Sequence, residues 1–325
     1  MIWRTAMTLA SRGRLPILIF HRILAEPDPI LPGEPSAAQF EALLAHVASR
    51  FEVLPLAQAA RRLFDGTLPP RALSITFDDG YVNNLSVAAP ILKRRGIPAT
   101  VFVATGYLGG RCMFNDAIIE AFRATKERTL DLTPLGLGRY ALGSIDERRA
   151  AIDAVLPRVK PQAPDERDRV ARDVLQRAGV PPPEDLMLAR EAIRELPKFG
   201  VDVGAHTVTH PILARVPDDV ARREIAQGRR ELEALAGSPV TLFAYPNGRP
   251  GQDYAERHVD MVREAGFAFA VTTAEGAATR ASDPLQLPRY TPWSSLPMKF
   301  DLLLMRNMYR AADKAVRDSV PEPTS

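Results

Sequence analysis

Short runs of β-branched and aromatic residues alternate with amphipathic helical segments along most of this chain. The runs that show this best are 17–20, 73–77, 99–103, 201–204, 240–244 and 267–272. Each contains at most one charged residue, which is typical of strands buried on both faces of a sheet. In the helical segments apolar residues recur at three- and four-residue spacing, as Phe40, Leu44 and Val47 do after the N-cap candidate Ser36. This alternation predicts an α/β fold with a parallel sheet.

The alternation stops between about residues 114 and 194, where the sequence is rich in alanine, arginine and acidic residues. Proline and glycine mark loops at 134–138 and at 181–183. We therefore expect a helical insertion inside a single domain that spans residues 1–325, rather than an independent domain.

A further helical segment, about 298–316, carries Phe300, Leu303, Leu304 and Met308 among several basic residues. Two interpretations are open for this segment. It either packs against the rest of the domain or lies on a membrane surface near a lipid-linked glycan. Packing against the domain is the favoured interpretation.

Charge and cysteine content exclude several classes of protein. Lysine and arginine total 42 against 39 acidic residues, and the charges are interspersed, so we predict no nucleic-acid site. The single cysteine, Cys112, excludes an intrachain disulfide. The first 14 residues lack the apolar core of a signal peptide, and no apolar stretch approaches 18 residues. These features predict a cytoplasmic protein.

Two neighbouring carboxylates, Asp78 and Asp79, follow the strand run 73–77 and precede Gly80. Side chains alternate faces along a strand, so both carboxylates can reach one site only where the strand ends in a sharp turn. Active sites of parallel α/β folds lie at this end of the strands, and adjacent carboxylates favour a bound cation. The alternative, a polar turn without further function, is equally open at this point.

Two of the five histidines, His206 and His210, lie four residues apart after the strand run 201–204. This is not the zincin arrangement, because no Glu follows His206 and Pro211 disfavours a helix at His210. The alternative is a pair of histidines in a surface loop. With one carboxylate of the Asp pair, the histidines would form a three-ligand metal site with an open position for water.

The segments 76–80 (TFDDG) and 206–210 (HTVTH) together resemble the motifs of polysaccharide deacetylases, also called carbohydrate esterase family 4 or NodB-homology proteins. The resemblance covers about 15–110 and 195–290 and leaves the insertion outside it. It implies a distorted (β/α) barrel that removes N- or O-acetyl groups from chitin-like, peptidoglycan or exopolysaccharide sugars. It also implies that Asp78 is the general base, and that Asp79, His206 and His210 are the metal ligands.

The segment 243–248 (FAYPNG) resembles the third motif of this family, which implies that the main-chain N–H of Asn247 helps to hold the oxyanion. The chain departs from the family here, because Ala244 replaces the usual arginine and Asn247 replaces the usual tyrosine. Arg289 is the candidate to supply the missing arginine that braces the base. A surface or core-edge ion pair is an equally open interpretation of Arg289.

The general acid of the family is a histidine at the end of an apolar strand near the end of the domain. No residue after His258 fits this role, and His258 itself lies in a charged helix and is expected to be solvated. The run 17–20 ends in His21 and has the expected form, as in circularly permuted exopolysaccharide deacetylases. We therefore predict His21 as the acid, with a structural histidine as the alternative.

The resemblance thus predicts metal-dependent hydrolysis of acetyl groups, N-acetyl foremost, on a glycan such as a polymer of N-acetylglucosamine. Zn²⁺ is the expected metal, with Co²⁺ and Ni²⁺ as alternatives that ligand type alone does not separate. One rival is a metal-dependent phosphohydrolase, which usually needs a second metal and more carboxylates. Another is a degenerate carbohydrate-binding protein, which the changes at Ala244 and Asn247 leave open. The oligomeric state stays open.

Overall fold

The computed structural model describes residues 7–9, 11–291, 297–310 and 316. The strands are, in chain order, β1 (Arg14–Leu15), β2 (Ile17–Phe20), β3 (Glu52–Val53), β4 (Ala72–Phe77), β5 (Ala99–Val103), β6 (Thr129–Asp131), β7 (Arg139–Ala141), β8 (Val201–Ala205), β9 (Leu242–Ala244), β10 (Phe269–Glu275), β11 (Ala278–Thr279) and β12 (Leu287–Arg289). The described helices of more than six residues are α1 (Ala37–Arg50), α2 (Leu56–Phe64), α3 (Ala89–Arg95), α4 (Phe114–Ala124), α5 (Ile145–Val159), α6 (Pro164–Ala178), α7 (Asp218–Ala236), α8 (Glu256–Glu264) and α9 (Pro297–Tyr309).

The main sheet is parallel, and its strands follow the order β12-β10-β9-β8-β5-β4-β2, with β3 paired to β4. Its two ends meet, because the Ile19 N–H donates to the Tyr290 carbonyl at 3.0 Å and the Tyr290 N–H donates to the Ile17 carbonyl at 2.8 Å. We call this contact between β2 and the end of β12 the seam. The result is a nearly closed barrel, which confirms the predicted distorted (β/α) barrel.

Burial explains why the strands could be predicted. Every residue of β2, β4 and β5 is buried, since helices cover the outside of the barrel and side chains fill its inside. Helix α1 begins where expected: Ser36 and Gln39 form a reciprocal capping box, and Phe40, Leu44 and Val47 are buried. Strand β12 was not predicted, because it is three residues long and has a proline at its centre, Pro288.

The insertion folds into α4, the hairpin of β6 and β7, then α5 and α6. Its apolar residues form a hydrophobic cluster separate from the barrel core. Ile30, in the loop between β2 and α1, also belongs to this cluster. The hairpin was missed by the sequence analysis, because its three-residue strands are mostly exposed and carry Asp131 and Arg139. The ion pair of Arg22, just after β2, with Asp116 of α4 is buried and joins the insertion to the barrel.

Helix α9 packs on the barrel, as the favoured interpretation of the C-terminal segment expects. Phe300, Leu304 and Met308 belong to the main hydrophobic core, and the Asp301 carboxylate accepts a hydrogen bond from His46 Nε2 of α1 at 2.7 Å. Met298, at the exposed start of the helix, is 84% accessible to solvent. Residues 311–315 of the predicted segment lie outside the described residues, and membrane contact stays a prediction. Among the described helices, none has the length and apolar character needed to span a membrane.

Candidate active site

A cavity of about 970 Å³ opens at the carboxyl ends of the barrel strands. Six of the residues that line it lie at most three positions past the end of a strand: His21 and Arg22 after β2, Asp78 and Asp79 after β4, His206 after β8 and Asn247 after β9. Parallel strands present their carboxyl ends at the same edge of a barrel, so residues far apart in sequence meet there.

Asp79 lies at the sharp turn that ends β4. Its φ is 77° and that of Gly80 is 86°, and a non-glycine residue in this left-handed region stores strain that is common at functional sites. Oδ1 of Asp79 is buried and has no hydrogen-bond donor among the described residues. It lies 3.5 Å from Nε2 of His206 and 3.5 Å from Nε2 of His210.

The two histidines present the nitrogens that a metal needs. Nδ1 of His206 lies 2.7 Å from the Ala244 carbonyl oxygen. A carbonyl only accepts hydrogen bonds, so in the neutral ring Nδ1 carries the proton and Nε2 has its lone pair toward Asp79. Burial lowers the pKa of His210 to about 3, which keeps that ring neutral at physiological pH.

The loop between the histidines is held by hydrogen bonds to its main chain. The Glu224 carboxylate of α7 accepts from the N–H of Val208 at 2.9 Å and from the N–H of Thr209 at 2.8 Å. Thr207 Oγ1 accepts from the N–H of His210 at 3.1 Å. Thr207 and His210 both have positive φ, at 65° and 51°, so the loop fixes a conformation that its sequence alone disfavours.

These ligand atoms fit a divalent metal. One ligand atom from each of Asp79, His206 and His210 lies within 4.8 Å of the other two. Burial acts to raise the pKa of Asp79, but its contacts with the His206 and His210 rings outweigh it and hold the pKa below its usual value. A charged carboxylate with an unpaired buried oxygen, facing two imidazole nitrogens, is the donor set of a three-ligand site.

Asp78 faces a different partner from that of Asp79, namely Arg289 of β12. The guanidinium donates from Nη1 to Oδ1 and from Nη2 to Oδ2 of Asp78, both at 2.7 Å. It is itself held by the Thr272 carbonyl at 2.8 Å and by Thr76 Oγ1 at 3.2 Å. Burial acts to raise the pKa of Asp78, but Arg289 outweighs it and holds the pKa below its usual value. The pair is fully buried and beside the cavity, rather than at a surface or core edge.

Asn247 lies in the wall of the cavity. Its φ is 59°, and its carbonyl accepts from Thr273 Oγ1 at 2.5 Å. Within the part of the chain that the structure describes, its N–H has no intramolecular acceptor. At position 244 the structure places a buried alanine whose carbonyl orients His206, so the main chain has a role there although the arginine of the family motif is missing.

His21 is exposed at the cavity wall directly after β2, and its main-chain carbonyl accepts from Asn84 Nδ2 at 2.9 Å. A positive charge on its ring would lower the pKa of Asp78, of Asp79 and of Glu34 in the loop between β2 and α1. Glu34 and Arg22 also line the cavity, and the sequence analysis missed both, because neither belongs to a motif or a periodic segment.

His258 is buried, whereas the sequence analysis expected it to be solvated. Its side chain is fully buried on the inner face of α8, and Nδ1 accepts from the N–H of Ala255 at 2.9 Å. Burial lowers its pKa to about 4. The prediction was wrong because the exposed charged neighbour Arg257 says nothing about the face that His258 occupies. His258 does not line the cavity.

Gly228 of α7 allows this helix to touch the histidine loop. A Cβ atom at this position would lie 2.9 Å from the main-chain carbon and oxygen of Thr207. We expect Gly228→Ala to displace α7 or the loop, to lower the free energy of unfolding by about 1–3 kcal/mol as overpacking does, and to weaken metal binding. Urea unfolding and metal titration measure the two effects. Gln227→Ala, one residue away and exposed, is the control, and equal behaviour of the two variants would contradict this close contact.

Over residues 65–270 the chain matches the family model described as polysaccharide deacetylase. YxkH of Bacillus subtilis strain 168, which carries the name of a polysaccharide deacetylase, is 21% identical over 270 residues, or 82% of this chain and 67% of YxkH. The structure of Streptococcus pyogenes deacetylase PplD in complex with acetate has a TM-score of 0.60 and 21% identity, and the match covers 91% of this chain and 99% of that one. IcaB from Ammonifex degensii has a TM-score of 0.60 and 18% identity over 90% of this chain and 97% of IcaB. At these identities the structural matches show the shared fold.

Proposed function

This chain belongs to the polysaccharide deacetylase family, and we propose that it hydrolyses acetyl groups, N-acetyl groups foremost, on a glycan with the help of a bound divalent metal. Deacetylation of a polysaccharide follows from the family. The metal dependence is supported by one observation above all: a charged, unpaired carboxylate oxygen of Asp79 faces Nε2 of His206 and of His210.

Asp79, His206 and His210 would hold the metal, with Zn²⁺ expected and Co²⁺ or Ni²⁺ as alternatives. A divalent metal at such a site polarises a carbonyl and lowers the pKa of water. The chain contributes the fixed ligand positions: the carbonyl of Ala244 holds the tautomer of His206, and the histidine loop holds His210.

Asp78 is the proposed general base. It takes a proton from the water that attacks the acetyl carbon, and Arg289 orients its carboxylate through both oxygens. The N–H of Asn247 donates to the acetyl oxygen as negative charge develops there, a contribution of about 3–4 kcal/mol in comparable sites. His21 donates a proton to the nitrogen as the C–N bond breaks. The products are acetate and the free amine.

The structure supports the two rival functions less well than the proposed one. A phosphohydrolase with two metals would need a second ligand group, and the described residues supply one group of three potential ligands. A degenerate binding protein would lack a braced base, whereas Asp78 has a bidentate arginine partner. Metal content, measured together with acetate release from an N-acetylglucosamine oligomer, distinguishes the three functions.

The proton donor can be tested by the choice of leaving group. We expect His21→Ala to keep its metal and fold and to lower the rate on an N-acetyl sugar by about 10²- to 10⁴-fold, because an amine leaves poorly without a proton. The loss should be much smaller on an aryl acetate, whose leaving group needs no proton. Acetate release from the sugar and absorbance of the released phenol measure the two rates.

His46→Ala serves as the matched control, since His46 bonds to Asp301 outside the cavity. It should change both rates by the same factor. An equal loss on both substrates in His21→Ala would show a structural role for His21. Unchanged rates on both would remove His21 from the site, and the inferred strand permutation would lose its support.

A further inference from the structure

Arg167 of α6 reaches from the insertion to the active-site cavity. Its side chain is buried, with 2% of the residue exposed, and it lines the cavity. Nη2 donates to the main-chain carbonyl of His210 at 3.3 Å, and the guanidinium lies 4.7 Å from the ring centre of Phe114. Arg167 therefore lies beside the loop that carries two of the proposed metal ligands.

Among the residues that the structure describes, no carboxylate lies within ion-pair distance of the Arg167 guanidinium. The other two deeply buried arginines of the described chain are paired, Arg22 with Asp116 and Arg289 with Asp78. Arg167 forms no such pair among the described residues, and its Nε is buried without an acceptor. A buried guanidinium without a carboxylate is costly. An anion that enters the cavity would offset this cost.

Further cations line the same cavity. Lys160, Arg215 and Arg249 are exposed at its wall, and the charges of Arg249 and Arg167 both act on Lys160. The carboxylates on this side are Asp253, which accepts the main-chain N–H of Arg249 at 3.0 Å, and Asp168 and Glu224, whose charges act on Arg167. We call these four cations, Arg167 included, the basic wall; they outnumber these three carboxylates.

We propose that the basic wall binds an anionic substituent of the glycan, a carboxylate or a phosphate, close to the acetyl group that is removed. This inference rests on the proposed function, because it assigns a substrate class to the same cavity. A guanidinium binds both kinds of anion through two parallel hydrogen bonds. The insertion supplies Arg167 and Lys160, so it selects acidic glycans over neutral chitin-like ones.

Acetyl-free probes test binding without turnover. Calorimetry on the metal-loaded full chain compares tetragalacturonate, which carries carboxylates, with neutral cellotetraose, and glucose 1-phosphate with neutral glucose. We expect each anionic probe that the wall accepts to bind at least 10-fold more tightly than its neutral partner. Arg167→Gln should lose about 10- to 100-fold of that affinity, the usual range for one charge-assisted contact. Preference for one of the two anionic probes identifies carboxylate or phosphate as the ligand.

Arg172→Gln is the matched control, because Arg172 lies on the same helix, is exposed, and does not line the cavity. It should bind all probes as the unmodified chain does. If Arg167→Gln does not fold, Arg167→Lys can be used instead. It keeps the charge but cannot form two parallel hydrogen bonds, so it should lose part of the affinity. Equal affinity for charged and neutral probes, or full anion binding by folded Arg167→Gln, would overturn the inference. Acetate release without anion preference would overturn this inference and leave the proposed function intact. Anion binding by a chain that releases no acetate would overturn the proposed function and leave the anion site intact.

Discussion

Asp79→Ala is expected to lose both bound metal and turnover, whereas Asp78→Asn should keep the metal and lose most of the turnover. The two residues are neighbours but face different partners. Asp79 presents an unpaired oxygen 3.5 Å from each of two imidazole nitrogens, while both oxygens of Asp78 are bonded to Arg289. Elemental analysis after dialysis, together with acetate release from an N-acetylglucosamine oligomer, measures the two effects.

Asp218→Asn, an exposed carboxylate at the start of α7, should change neither quantity and controls for the loss of one charge. The melting temperature belongs in the same experiment, because a bound metal also stabilises the loop that its ligands come from. Equal metal content in Asp78→Asn and Asp79→Ala would show that the roles of base and ligand are assigned wrongly. His206→Ala should behave as Asp79→Ala does.

Arg289→Met is expected to lower the free energy of unfolding by about 3–5 kcal/mol, because it leaves the buried carboxylate of Asp78 without its partner. The activity should fall as well, since no other described residue fixes the orientation of this carboxylate from both oxygens. In the double variant with Asp78→Asn, much of the stability should return, because no charge is left unpaired. The activity should not return. Denaturant unfolding and acetate release separate the two outcomes.

The exposed pair of Arg223 with Asp219 on α7 provides the control. Arg223→Met should change the free energy of unfolding by less than about 1 kcal/mol, as is usual for solvated ion pairs. An unfolding midpoint of Arg289→Met equal to that of the unmodified chain would show that the buried pair contributes nothing. A double variant as unstable as Arg289→Met alone would point to lost packing of the arginine stem instead.

The barrel was predictable because burial on both faces leaves a strong pattern in the sequence. Strands such as β4 and β5 are apolar from end to end, and the capping box at Ser36 marks the start of α1. Strand β12 could not be found in the same way, since Pro288 interrupts its pattern. The hairpin of the insertion has strands that are too short and too exposed to show a period.

The site was predictable only where local motifs mark it. Asp79, His206 and His210 stand in short segments of unusual composition that end strands. Arg289 lies 211 positions from Asp78, and their contact exists because the barrel places β12 beside the strands that start the site. Arg167 carried no signal at all, because an arginine-rich helix does not reveal which of its arginines is buried.

The seam between β2 and β12 can form only after β12 has been synthesised, late in the synthesis of the chain. The proposed metal ligands come from β4 and β8, which leave the ribosome before β12 is made. The brace Arg289 is on β12, and the proposed acid His21 is on the strand that β12 must meet. Under the proposed roles, the metal ligands are therefore synthesised before the arginine that braces the base. Turnover would then require the strand that closes the barrel.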